Sequence, residues 1–269
     1  MKPDPWRNAL VALVLTTSVA MAQPTSSVFI DDLTWTELRD RIAAGKTSAI
    51  VPIGATEQSG PLMALGKHNA RVNALSEKIA LRLGNALVAP VIAYVPEGAI
   101  DPPTGHMRFP GTITIPETTF EKTLEYAARS LSRAGFRDIV FLGDHGGYQK
   151  NEGAVAARLN REWRTRPSRV HAIAEYYSAT QTAYVQALEQ RGYRSDEIGE
   201  HAGLADTSLT MALAPELVRS DRLTTSPKPG PSDGVSGDPR RASAELGRIG
   251  VDIIVERTVQ AISRAVARR

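Results

Sequence analysis

The sequence predicts an α/β domain built on a largely parallel sheet, and three observations carry that reading. Short runs of β-branched and aliphatic residues alternate with longer stretches of helical periodicity, the pattern of strand–helix–strand units. The chain has 269 residues, 42% of them apolar and 23% charged, which is ordinary globular composition and enough for one well-cored domain. It has no Cys, so burial rather than crosslinking must hold it together.

The elements follow in order. Residues 34–44 read as a first helix, with Thr34 or Thr36 available as its cap. Residues 49–53 (Ala-Ile-Val-Pro-Ile) form a β-branched run ending in Gly54 and suit a buried first strand. Residues 69–83 carry Val72, Leu75, Ile79, Ala80 and Leu83 at helical spacing, and residues 87–94 are the next strand. The clearest helix is 118–134, with Phe120, Leu124, Ala127, Ala128 and Leu131 on one face and Gly135 as a stop signal.

Residues 138–142 (Asp-Ile-Val-Phe-Leu) read as a central strand that runs into Gly143-Asp144-His145-Gly146-Gly147. A helix over 152–163, a strand over 170–177 and a short helix over 207–214, stopped by Pro215, come next. Residues 223–240 are rich in Pro, Gly, Ser and Asp, and are too long for a plain connection, so they are expected to serve a site or a subunit contact. An amphipathic helix over 247–267 closes the chain through Ile249, Ile253, Ile254, Val259, Ile262 and Val266. No internal repeat is present, and a single domain is placed at 28–268.

Residues 1–22 read as a secretory signal. Lys2 and Arg7 give a positive start, residues 9–19 are uncharged and mostly aliphatic, and Ala20-Met21-Ala22 offers small residues ahead of Gln23. The apolar run is shorter than the roughly 20 residues a membrane span needs. The expected product is therefore exported, periplasmic or secreted, with no membrane attachment after cleavage. Its net charge is small, +3 for the whole chain, with Arg scattered singly. That distribution argues against nucleic acid as a partner.

Five His residues occur: His68, His106, His145, His171 and His201. Glu57 and His145 follow closely on the first and third strand runs, where ligands of open α/β sheets bind. Without Cys, a metal site must use His and carboxylate ligands, which suit Zn²⁺. The same spacing also allows each His to be a hydrogen-bonded loop residue, since no close pair such as H-x-x-x-H occurs. His171, within a strand pattern, reads as structural, and Trp163 and Phe120 as core.

Pro52-Ile53-Gly54-Ala55-Thr56-Glu57-Gln58-Ser59-Gly60-Pro61 resembles the opening motif of the creatininase (creatinine amidohydrolase) family, which usually runs P-x-G-[SA]-x-E-Q-H-G. Phe109-Pro110-Gly111-Thr112 looks like its F-P-G-T block, and Gly143-Asp144-His145-Gly146-Gly147 like its N-G-H-G-G turn. Glu200-His201-Ala202-Gly203 with Asp206-Thr207-Ser208 resembles its H-A-G-x-x-E-T-S block, and residues 234–242 its tail. The resemblance runs from residue 34 to the C-terminus. It implies a three-layer α/β/α sandwich, a homohexamer, and metal-dependent hydrolysis of C–N bonds in small cyclic or linear amides with Zn²⁺ or Mn²⁺.

Three departures shape the expected site. Ser59 stands where the family has a His ligand, His68 where it has a metal-bridging Asp, and Gly147 where creatininase carries a carboxylate. The resemblance then implies Glu57, His68 and His145 around one divalent ion, most simply a single Zn²⁺ with an open position, Mn²⁺ being the other candidate. His201 is expected as the general acid–base residue, with Glu200 orienting it or adding a carboxylate. His106, Gly146, Gly147 and Asp206 are expected to bind substrate, although Asp206 with Thr207 also suits a helix cap. Asp144 is expected to orient His145 or shape the turn. Ser59 lies outside any G-x-S-x-G elbow and is not read as a nucleophile. The competing expectations are a catalytically silent binding or scaffolding protein on the same fold, and a two-metal hydrolase using Asp144 or Asp206.

Overall fold

The structure, a computed structural model, describes residues 26–268; the signal segment expected over 1–22 lies outside them. Four strands form one sheet: β1 (Ser48–Ile53), β2 (Ala86–Val88), β3 (Asp138–Gly143) and β4 (Arg169–Ala172). Their order is β2-β1-β3-β4 and every pairing is parallel, with Ser48 opposite Asp138 and Ile53 opposite Gly143 in the central pair. Both central strands are buried along their whole length. This explains why their sequences are continuous apolar runs rather than alternating ones.

Alternate residues of the central strands feed two cores. Ile50, Val140 and Leu142 pack with α2 (Lys67–Leu83), α5 (Ala174–Gln181), α6 (Ala183–Glu189), α8 (Leu204–Leu213) and α9 (Ala244–Ala267). Ala49, Val51, Ile139 and Phe141 pack on the opposite face with α3 (Glu117–Ala134), α4 (Gln149–Glu162) and the partly buried apolar side of α1 (Trp35–Ala43). The result is the three-layer α/β/α sandwich expected above. A short helix α7 (Ser195–Ile198) leads toward the site. None of the described helices is long and apolar enough to cross a membrane.

The start of α1 shows the local code at work. Thr34 Oγ1 accepts from the Glu37 N–H at 3.3 Å, and the Glu37 carboxylate accepts from the Thr34 N–H at 2.7 Å. This reciprocal pair satisfies two of the free donors at a helix N-terminus. The close approach of α9 to α8 depends on Gly247, where a Cβ would lie 1.9 Å from the Ser208 carbonyl oxygen.

Two strands are shorter than their sequences suggest. The expected 87–94 strand stops at Val88, because Pro90 cannot donate to a ladder; only Ile92 rejoins, bridging Ile53. The expected 170–177 strand gives way after Ala172 to α5, whose Tyr176, Ala179 and Thr180 are buried at helical spacing. Helices α6 and α7 have no counterpart in the sequence reading. The 223–240 stretch is irregular apart from single turns at Pro231–Asp233 and Pro239–Arg241.

Two outcomes are expected. Gly247→Ala should destabilise the chain by about 1–3 kcal/mol in denaturant titration, since the helix pair must separate. Glu152 on α4 is buried with Oε1 unpartnered, and burial raises its pKa to about 8. The folded chain thus keeps a proton that the unfolded chain loses above about 4.5, so this group costs stability as pH climbs toward 8. Glu152→Gln should match the wild type near pH 4 and exceed it at pH 9, by up to about 5 kcal/mol in melting curves.

Candidate metal centre

The site lies beyond the carboxyl ends of β1 and β3. Glu57, four residues past β1, has no exposed surface. His145 lies two residues past β3, and its N–H donates to the Tyr148 hydroxyl at 3.2 Å. That hydroxyl also reaches the carbonyl oxygens of Ile53 and Gly54 at 2.8 and 2.7 Å, tying the two strand ends together.

The Phe109-Pro110-Gly111-Thr112 block positions two further side chains. Thr112 Oγ1 accepts from the Gln58 N–H at 3.1 Å and donates to the His106 carbonyl at 2.9 Å. The Gln58 side-chain amide donates to His106 Nδ1 at 2.9 Å and to the Gly234 carbonyl at 3.0 Å. Gly234, at φ +75°, leaves room for that amide, since a Cβ there would stand 2.2 Å from Gln58 Oε1. The 223–240 stretch therefore serves the site through Gly234, and through Ser236, which pairs antiparallel with His201.

The carboxylate of Glu57 is the hub. Oε2 lies 3.3 Å from both His106 Nε2 and His145 Nε2 yet makes no hydrogen bond with well-formed geometry. Oε1 lies 2.7 Å from His68 Nε2, 3.5 Å from Lys67 Nζ and 3.7 Å from His201 Nδ1. Burial pushes the Glu57 pKa up, but His68 and Lys67 outweigh it and hold the carboxyl well below the usual range. Glu97, also buried, has no well-formed hydrogen bond at either carboxylate oxygen among the described residues, and lies 3.6 Å from His145 Nδ1. Burial and the neighbouring Glu57 raise its pKa to about 9.

Donor atoms of Glu57, Glu97, His106 and His145 lie within 4.8 Å of one another. Burial, the largest cause for both rings, lowers the His106 pKa and takes that of His145 to about 3, so both stay neutral at physiological pH. Two neutral imidazoles and two carboxylates, with orphaned oxygens among them, fit a divalent cation of the zinc type.

His68 stands differently from the sequence expectation. Its Nε2 lies 2.7 Å from Glu57 Oε1 and its Nδ1 2.6 Å from Asp144 Oδ2, so both ring nitrogens are held by carboxylates and His68 stands outside the four-donor cluster. Burial and Lys67 push its pKa down, but Glu57 and Asp144 raise it overall. Asp144, expected beside His145, instead holds His68, Arg71 (Nη2 at 2.7 Å) and the Tyr176 hydroxyl (2.7 Å). Asp206, expected to meet substrate, is bound by Lys67 and Arg71 and accepts from the Ala202 N–H at 2.9 Å.

The remaining expected residues divide. His201 Nε2 donates to the Gln58 carbonyl at 2.9 Å, and burial with Lys67 nearby lowers its pKa to about 4. Glu200 is exposed at the mouth, and among the described residues its carboxylate has no hydrogen bond to His201; the Gln58 carbonyl holds that ring. Gly146 and Gly147 support rather than line the cavity: the Gly147 N–H donates to His145 Nδ1 at 3.2 Å, and Gly146 backs onto Tyr177. Ser59 is buried, with its hydroxyl unpartnered among the described residues. His171 donates to Asp138 at 3.0 Å, away from the site.

The sequence reading missed Glu97, Lys67, Arg71 and Gln58. Glu97 had one faint signal, a lone acid between Pro96 and Gly98 at the end of an apolar run. A cavity of about 270 Å³ is lined by Lys67, Arg71, His106, His145 and His201, together with Tyr177, Gln181 and Glu200.

A model of the creatininase family, described as creatinine amidohydrolase, matches residues 31–262. The chain belongs to the creatininase family. Creatinine amidohydrolase of Pseudomonas putida is 30% identical to it over 259 residues, spanning 89% of this chain and 96% of that one. A solved structure described as "Creatininase Mn" superposes with a TM-score of 0.74 at 29% identity, covering 89% of this chain and 99% of that chain. A mutant creatininase of "Zn-Zn type" gives 0.73 at 29% identity, covering 90% and 99%. Creatininase-family membership and the four-donor cluster make this chain, in class, a metal-dependent hydrolase of C–N bonds.

The buried ion pairs behind the cluster should be costly to break. Asp144→Ala leaves Arg71 and His68 without their shared partner and is expected to lose about 3–5 kcal/mol in denaturant unfolding. Tyr176→Phe, which removes a single hydrogen bond to that carboxylate, should cost about 1 kcal/mol.

Proposed function

We propose that this chain is an exported amidohydrolase of small cyclic or linear amides that works with one divalent ion, Zn²⁺ in the first instance. Glu57, Glu97, His106 and His145 would hold the ion. The supporting observation is the buried four-donor cluster with its orphaned Glu57 and Glu97 oxygens. A bound cation would draw the proton from Glu97, as metals do from acidic ligands. Zinc is favoured by the two imidazoles, while the two carboxylate donors also suit Mn²⁺.

When present, the ion supplies Lewis-acid polarisation of the substrate carbonyl and an acidified water. The chain's own residues do the rest. His201 is neutral at physiological pH, its Nε2 fixed on the Gln58 carbonyl and its Nδ1 turned toward the Glu57 side of the cavity. It can take a proton at Nδ1 and pass it to the leaving nitrogen. Tyr177, Gln181 and Glu200 offer polar groups at the mouth, suited to a small hydrogen-bonding amide. Because the residues around Glu57 depart from the creatininase pattern at Ser59, His68 and Gly147, creatinine itself is not the favoured substrate.

Export rests on the N-terminal pattern over residues 1–22, and N-terminal sequencing of the secreted or periplasmic protein should begin at Gln23. A homo-oligomer, hexameric by family likeness, is expected in size-exclusion chromatography with light scattering. Purified mature protein should carry about one equivalent of metal per chain and hydrolyse members of an amide library. Glu57→Gln should abolish both metal and turnover. His201→Asn should keep the metal while lowering kcat by about 10²–10⁴-fold. Metal well under one equivalent, unchanged by Glu57→Gln, would favour a silent binding protein.

A further inference from the structure

The two oxygens of Glu57 face two different kinds of cation site. Oε2 is turned to His106 and His145, has no hydrogen bond, and belongs to the four-donor cluster. Oε1 is turned to basic side chains instead: His68 Nε2 at 2.7 Å and Lys67 Nζ at 3.5 Å. The Lys67 side chain is 1% exposed, and its ammonium also pairs with Asp206, which Arg71 binds from the other oxygen.

Lys67, His68 and Arg71 stand in the first turn and a half of α2. They meet three carboxylates, Glu57, Asp144 and Asp206, so the acidic oxygens on that side already have basic partners. A second divalent ion there would meet fixed positive charge at close range, in a buried setting where repulsion is weakly screened.

We infer that Lys67 is a built-in cation that occupies the Oε1 side of Glu57 and limits this chain to a single divalent ion on the Oε2 side. The inference rests on the metal-dependent reading above. Lys67 is a positioning residue: it fixes how many ions the site accepts, and leaves the cluster around Oε2 as the place for the one it takes.

The test counts ions. Wild type stripped with chelator, loaded with excess Mn²⁺ and freed of loose metal by gel filtration should retain one equivalent by plasma mass spectrometry. Its electron paramagnetic resonance spectrum should be that of isolated Mn²⁺, without exchange coupling. Lys67→Met should show a twofold rise in retained Mn²⁺ and a larger melting-point gain on adding Mn²⁺ than wild type, whereas Lys67→Arg should stay at one equivalent. Two ions or an exchange-coupled pair in wild type would overturn the inference, as would a Lys67→Met chain that stays at one. Should Lys67→Met give no folded protein even with Mn²⁺, the wild-type count and spectrum, with Lys67→Arg, decide the matter. Wild type that retains no ion would overturn the metal-dependent reading and this inference together, whereas two ions would overturn this inference alone.

Discussion

Burying an ionised carboxylate is expensive unless charge and hydrogen bonds meet it, and Glu57 is buried completely. Much of the surrounding structure answers that one constraint. The start of α2 is turned so that Lys67 and His68 face Oε1, and those cations in turn need Asp206 and Asp144. Arg71 and Tyr176 then complete the partners of Asp144. Five elements (the loops after β1 and β3, and helices α2, α5 and α8) are tied by this chain of charges. The Oε2 side is left with neutral imidazoles and the protonated Glu97, an uneven arrangement that suits an added cation.

The fold was legible because its strongest signals are local. Continuous apolar runs such as residues 49–53 and 138–142 read as doubly covered strands, and 118–134 as a helix, with no knowledge of their partners. Where the reading ran long, a local fact decided the outcome. Pro90 ended β2, and the burial of Tyr176 with Ala179 and Thr180 turned the expected end of β4 into α5. Helices as short as α6 and α7 carry too few turns to show a period.

The site was legible in membership and less so in wiring. Glu57, His145 and His201, which motif likeness named, lie close together and His106 joins them, whereas His68, named with them as a ligand, stands between Glu57 and Asp144. His68 and Asp144 could not be apportioned from sequence, because an imidazole that donates from both nitrogens and one that offers a lone pair are the same letter. Lys67 and Arg71 drew no reading, since Lys67 precedes the 69–83 helical run and Arg71 is not among its apolar positions. Only the folded chain shows them pointing inward, where both pair with Asp206, 139 and 135 positions away.

Glu57 and His145 are spaced by the sheet itself, since Tyr148 staples the ends of two neighbouring strands. His106 and His201 arrive on loops that touch the hub through Gln58 and Thr112. Directed evolution could therefore explore new chemistry by randomising the two loops, holding the stapled pair constant. Libraries that disturb the hydroxyl of Tyr148 would spend most of their diversity on inactive clones.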